Sequence, residues 1–479
     1  MERRAGVLMH ISSLPGNRGI GSMGKEAYEF VDFMADAGLK LWQVLPLCPT
    51  SYGDSPYQSP SALAGNPYFI DIDTLIADGL LTEEEAPVYD MGYVDYEKVY
   101  NERYDTLRKA FKRFIKTPPE DYAAFKKENA FWLNDYAVFM ALKEAHGMQA
   151  WETWEDEYRL RTVKLTKFAR AGEFHKFLQY EFFKQWAALK AYANSKGVSI
   201  VGDMPIYVAY DSVEVWGNPQ LFKLNEDLSR KVVAGVPPDY FSADGQLWGN
   251  PIYDWDHMKA TGYAWWVMRM RMALKLYDIV RIDHFRAFAD YYEIPADRTD
   301  AKVGDWRNGP GMELFDTVNR ELDNPAIIAE DLGELHDCVR ELVRQTGYPG
   351  MKIMQFSFDG DPHNDFYYTN YKPNCVAYTG THDNDTTRGW FESLDDRNKD
   401  LVRRTLGYYG DNITWEIIER LYSSAADTVI IPMQDFLDLP TSARMNIPST
   451  LGGNWSWRSD AVWKDIKGTL RALAEKNNR

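Results

Sequence analysis

Eight short apolar runs recur along this chain, at 6–14, 39–47, 199–206, 278–285, 326–332, 351–356, 375–381 and 427–433, each bounded by Gly, Pro or Asp. Most are apolar almost without interruption, the pattern of strands buried on both faces. Helical periodicity fills the intervals, over 25–37, 174–196 and 265–277 among others, and Gly38 and Gly197 stand just past two of these helices. A glycine there supplies the left-handed residue that closes a helix. Strand alternating with helix implies a parallel sheet, and eight such units predict a closed (β/α)8 barrel of the α/β class. A doubly wound open sheet is the structural alternative.

The 479 residues are read as one catalytic barrel, 1–479, with large and mainly helical insertions. The connection from Leu47 to Ser199 is far longer than a crossover requires, and 83–170 reads as an inserted helical subdomain rich in Tyr, Lys, Glu and Trp. A second irregular stretch, 208–256, carries many Gly, Pro and aromatic residues and is expected to be a lid over the active rim, since long loops in compact domains are usually functional. The net charge of −17 excludes a basic face for nucleic acid or an anionic membrane. Flat rings make up 14% of the chain and match sugar faces as well as they fill cores. The three cysteines, Cys48, Cys338 and Cys375, are widely separated and odd in number, which predicts a reducing, cytoplasmic setting without disulfides. No signal peptide or membrane-length apolar run is read.

In such a barrel the reactive groups belong at the C-terminal ends of strands. Four of the predicted strands run into acids there: Asp203, Asp283, the pair Glu330 and Asp331, and Asp383 in Thr381-His382-Asp383-Asn384. Any one of them could simply cap a helix; four converging on one rim point to chemistry. Arg281 and Asp283 are two apart and share a face, so a guanidinium beside that carboxylate is expected to keep it ionised. A purely structural ion pair has the same spacing. Glu330 and Asp331 are adjacent, so only one points into the barrel, and the residues alone do not say which. Two acids of opposed pKa suit glycosidic-bond cleavage, with retention requiring carboxyls about 5–5.5 Å apart.

Gly19-Ile20-Gly21-Ser22-Met23-Gly24 matches a dinucleotide fingerprint, but Pro15 to Arg18 separate it from the preceding strand and the second strand ends without an acid for a ribose. A tight loop on the active rim is the preferred reading, with no cofactor. The scattered histidines and unpaired cysteines show no metal spacing, so no metal is expected.

These residues, with Ser12-Ser13-Leu14-Pro15, Tyr52-Gly53-Asp54-Ser55-Pro56-Tyr57-Gln58-Ser59, Gly202-Asp203-Met204-Pro205, Gly235-Val236-Pro237-Pro238-Asp239-Tyr240-Phe241, Gly245-Gln246-Leu247-Trp248-Gly249-Asn250-Pro251 and Arg281-Ile282-Asp283-His284-Phe285-Arg286, resemble the amylomaltases, the 4-α-glucanotransferases of glycoside hydrolase family 77, over nearly the whole chain. The resemblance implies that Asp283 is the nucleophile, Glu330 rather than Asp331 the acid/base, and Asp383 a stabiliser of the transition state helped by His382. It implies that Arg281 orients and depresses Asp283, that Asp203 and Asn454 contact the donor sugar, that Tyr57 stacks beneath the sugar next to the cleaved bond, and that Ser55 of the same segment also binds substrate. Gln246 and Trp248 would close over the acceptor, and Tyr52 matches a second glucan site of some relatives. Maltooligosaccharides and other 1,4-α-glucans are the implied partners, with a monomer or homodimer expected. An α-amylase-like hydrolase is the alternative within the fold, and a non-catalytic glucan-binding protein the alternative outside catalysis.

Overall fold

The computed structural model describes residues 3–89, 91–238, 243–333 and 335–479; the side chain of Tyr52, and residues 239–241 of the Gly235 motif, lie outside the described residues. Eight parallel strands close into a barrel in the order β1-β12-β11-β10-β9-β6-β3-β2. They are β1 (Arg4–Leu8), β2 (Leu41–Gln43), β3 (Ser199–Pro205), β6 (Ile279–Asp283), β9 (Ile327–Ala329), β10 (Gly350–Ile353), β11 (Cys375–Tyr378) and β12 (Thr428–Pro432). Six lie inside one of the eight apolar runs, while β1 and β10 begin two residues and one residue before theirs. The hydrogen-bonded parts are shorter than the runs, because each chain leaves the ladder at the rim to form the loops that carry function.

The pleat sorts each strand. On β6, Ile279 faces the barrel interior with Leu8, Leu41, Val201, Ile328, Met351, Val376, Tyr378 and Ile430. Its neighbours Val280 and Ile282 pack outward against the helical layer, together with Ile200, Ile327 and Ala329. Both faces are apolar, which is why the strands lack alternation. Helices Lys25–Asp36, Glu173–Ser195 and Ala264–Leu276 stand within a residue of their expected bounds at both ends, and Gly38 and Gly197 adopt φ of 76° and 78°. The connection between β2 and β3 holds helices Tyr96–Phe114, Glu120–Glu128 and Ala130–Ala145 besides shorter turns.

The stretch after β3 is less irregular than its composition suggests. β4 (Val232–Val236) and β5 (Gln246–Pro251) form an antiparallel hairpin that joins β7 (Asp290–Pro295) and β8 (Asp305–Asn308) in a four-stranded sheet of order β5-β4-β7-β8. A register shift between Val233 and Gly235 and the glycines and prolines of the hairpin mask the period-2 signal. No helix among the described residues is long and apolar enough to cross a membrane.

Candidate active site

The site grows from the inward side of the barrel strands at their C-terminal ends. Since Ile279 faces inward, so do Arg281 and Asp283 at two-residue steps; since Val201 faces inward, so does Asp203. Arg281 and Asp203 come opposite each other in the parallel register of β3 and β6. The Arg281 guanidinium donates to both oxygens of Asp203, at 2.7 and 2.8 Å, and to Asp283 Oδ1 at 3.0 Å. Arg281 is 4% exposed and the Asp203 side chain not at all, whereas that of Asp283 is 29% exposed. The second oxygen of Asp203 also accepts from the Tyr57 hydroxyl at 2.7 Å.

Asp203 lies sealed beneath Tyr57 and Arg281 with both oxygens engaged. Arg281 does contact Asp283, but it shares its charge with Asp203. Burial raises the Asp283 pKa and outweighs the downward pull of Arg281. The guanidinium keeps a hydrogen bond on the carboxylate; it does not depress it below the ordinary range.

Replacing Asp203 by Asn leaves a buried guanidinium with half its anionic support. Removing one partner of a buried pair costs about 3 kcal/mol. The Asp203→Asn protein is expected to lose about that much unfolding free energy in urea, seen as a lower midpoint at an unchanged slope; an unchanged midpoint would show that Asp283 alone suffices to hold Arg281.

The pleat also chooses between the adjacent acids at the end of β9. Ile328 faces inward and Ala329 outward, which turns Glu330 inward and Asp331 outward. Asp331 Oδ1 accepts from Met351 N at 2.7 Å, beside Gly350, where a Cβ would meet its carboxylate at 2.3 Å. It ties β9 to β10. Glu330 accepts from two backbone amides instead: Leu332 N to Oε1 at 2.8 Å and His284 N to Oε2 at 2.7 Å. His284 aims its N–H by adopting the left-handed conformation, φ 52° and ψ 48°, one residue after Asp283. That is an uncommon conformation for a non-glycine residue, the kind found where function fixes the backbone. Burial, and then the negative charge of Asp283, push the Glu330 carboxyl up to about 7, against the opposing influence of Arg281 and the two amides. Glu330 thus sits where its surroundings favour the protonated form, and Asp283 where a cation is hydrogen-bonded to the carboxylate.

Asp383 lies on the loop after β11, its side chain 48% exposed. Its Oδ1 accepts from Asn446 Nδ2 at 2.6 Å and lies 3.4 Å from His382 Nε2. His382 lowers and Asp383 raises the pKa of Asp283, so all three sit within electrostatic reach. The His382 ring stacks on Tyr57, 5.1 Å between centroids and 14° between planes, with Trp455 at 5.8 Å from both. Tyr57 is held further by its N–H to Ser55 Oγ at 3.2 Å; Ser55 thus shapes the turn beneath Tyr57. Asn454 is 8% exposed and spends its amide on its own loop, accepting from Ile447 N at 3.0 Å and donating to Thr450.

On β5, Trp248 donates to Gln246 Oε1 at 3.0 Å and meets the His284 ring edge-on at 4.7 Å. The hairpin therefore reaches the residue that follows Asp283. The glycine loop follows β1 and is tightly packed. Cβ atoms at Gly19, Gly21 and Gly24 would collide with Tyr89, the Ile11 carbonyl and the Asp71 carboxylate. These glycines allow the close internal packing of a tight loop.

Two residues of the site were not anticipated. Asp435, 1% exposed and three beyond β12, accepts from Thr379 Oγ1, from Thr387 N at 2.7 Å and from Thr387 Oγ1 at 2.8 Å, bracing both ends of the loop that carries His382 and Asp383. As an acid just past a strand end it carried the same signal as the others. Asn446 follows no strand and had none.

The chain matches a family described as 4-alpha-glucanotransferase over residues 9–462. It is 48% identical to a 4-alpha-glucanotransferase of Clostridium butyricum over 94% of this chain and 95% of that one. It is 44% identical to the Thermus thermophilus 4-alpha-glucanotransferase, covering 100% and 99%. Among solved structures it superposes on an amylomaltase from Streptococcus agalactiae in complex with acarbose at a TM-score of 0.97, with 44% identity and all of both chains covered.

Proposed function

The chain belongs to the 4-alpha-glucanotransferases of glycoside hydrolase family 77, and on that premise we propose that it transfers 1,4-α-glucan segments by a retaining double displacement, with Asp283 as nucleophile and Glu330 as acid/base. The observation that carries this reading is the pairing of two inward carboxyls in opposed environments, one hydrogen-bonded to Arg281 and one raised to about 7 by burial and by its neighbour's charge. In the first step Asp283 attacks the anomeric carbon and Glu330 gives its proton to the departing glycosidic oxygen, leaving a glucosyl ester. In the second, Glu330 takes the proton from the acceptor 4-hydroxyl, which attacks that ester. Asp383 and His382 hold sugar hydroxyls where positive charge develops, and the Tyr57 ring supports the sugar at the cleaved bond. Asp203, Ser55 and Asn454 act through the side chains and loops they brace.

The donors and acceptors are maltooligosaccharides and related 1,4-α-glucans; a related amylomaltase carries acarbose. The three free cysteines support a reducing cytoplasmic setting; a monomer or homodimer is the proposed state.

Transfer requires that an acceptor sugar beat water at the second step, which positional advantage and water exclusion provide. Gln246 and Trp248 are the residues assigned to it, since the Trp248 indole packs on His284 beside the nucleophile. With pure maltotriose, the wild-type protein is expected to build a ladder of longer glucans. Trp248→Ala should shift the ratio several-fold toward glucose and maltose. A hydrolase gives only the short products from the start, and an unchanged ratio in the variant would remove Trp248 from this role.

A further inference from the structure

Away from the two carboxyls, three side chains of different donor chemistry converge. Asp290 opens β7 and is 5% exposed. His336 directly precedes the helix Asp337–Thr346 and Cys338 is that helix's second residue; both are exposed. His336 Nδ1 and Cys338 Sγ both contact Asp290 Oδ2, the thiol at 3.4 Å, and the three donor atoms lie within 4.8 Å of one another. We propose that Asp290, His336 and Cys338 form a binding site for a borderline-soft divalent transition-metal ion, with Zn2+ the best match.

The surroundings orient these donors. Arg286 donates to the other oxygen, Asp290 Oδ1, at 2.8 and 3.3 Å, and so aims Oδ2 at the imidazole and thiol. Trp306 lies edge-on to His336 at 4.8 Å and beneath the Arg286 guanidinium at 4.3 Å. Partners that fix the direction of a ligand are the usual support of a metal site. Zn2+ takes N and O ligands at about 2.0–2.2 Å and S at about 2.3 Å in a tetrahedron, so side-chain rotations of the two exposed residues bring the present triad to that geometry. The fourth position faces solvent. A mixed N, S, O set suits Zn2+ and Co2+ and disfavours Ca2+ and Mg2+. Binding releases the Cys338 thiol proton to solvent, and His336 offers Nδ1 with its remaining proton on Nε2. Arg286 also approaches His336 Nδ1, at 3.4 Å; its charge tempers the affinity, and the carboxylate and thiolate together offset it.

Metal-stripped full-length protein is titrated with Zn2+ against a chromophoric chelator, and alkylation of each cysteine is followed by peptide mass spectrometry. The expected result is one tightly bound equivalent and at least tenfold slower alkylation of Cys338, with both effects lost in His336→Ala. Co2+ should produce a thiolate charge-transfer band in the wild type that is absent from Cys338→Ser. The site is overturned if Zn2+ leaves Cys338 alkylation unchanged, if His336→Ala binds and protects as the wild type does, or if no cobalt–thiolate band appears.

Discussion

Asp283→Asn is expected to lower glucan transfer by on the order of 10⁴-fold or more, because an amide neither attacks the anomeric carbon nor carries the negative charge that balances the forming cation. The fold should survive the change. Arg281 retains its two contacts to Asp203, and the Asp283 side chain is the more exposed member of the group, so thermal unfolding should move little. That separation matters. Asp203→Asn is predicted to weaken the fold because it strips a sealed cation of support, whereas Asp283→Asn should leave a folded protein that still binds maltooligosaccharides. Turnover of maltotriose, unfolding and glucan binding measured on the same preparation check all three. Comparable turnover by variant and wild type would end the assignment of Asp283 as nucleophile.

Glu330→Gln should lower transfer from maltooligosaccharides by about 10²–10⁴-fold, the usual contribution of a positioned acid/base. The loss should depend on the donor. α-Glucosyl fluoride departs without protonation, so the first step proceeds in the variant, while the second lacks its base. The glucosyl ester should therefore accumulate, visible as one added glucosyl residue on the peptide holding Asp283. A variant that turns over the fluoride without accumulating any ester would contradict the double displacement. The pH profile gives a second reading. Glu330 must be protonated for the first step, and its carboxyl is raised to about 7; for an acid this means the competent form dominates below that pH and is lost above it. The rate of the free enzyme on maltooligosaccharides should fall as pH rises through about 7. Under fluoride in Glu330→Gln that alkaline limb should be missing from the first step.

Much of this site was legible because it obeys short periods. The acids sit at strand ends, and strands buried on both faces betray themselves as unbroken apolar runs. Arg281 and Asp283 share a face because side chains alternate at every residue, which puts the contact at 3.0 Å within reach. Asp435 is legible in the same way, as an acid just past the end of the last apolar run. Other features had no local signature. The β4–β5 hairpin pairs through β4 with β7, across two intervening helices and a barrel strand, and its glycines and prolines hide the alternation. The glycine loop resembled a phosphate cradle, but Asp71 and Tyr89, both far along the chain, fill the space that the missing side chains leave.

From the sequence alone came the barrel, the rim of acids and the shared face of Arg281 and Asp283, because these depend on periods of two and 3.6 residues and on the closure of eight similar units. Only the tertiary structure decided which of Glu330 and Asp331 faces inward, since that depends on which side of β9 meets the interior with Ile328. It alone decided that Asp203 is the main partner of Arg281, through the β3–β6 register, and that burial outweighs the guanidinium at Asp283. It also brought Asp290 to His336 and Cys338, residues 46 and 48 positions away. Charge sharing, desolvation and ligand convergence depend on distances through space, and a pattern read along the chain carries those only where the fold turns a short period into a contact.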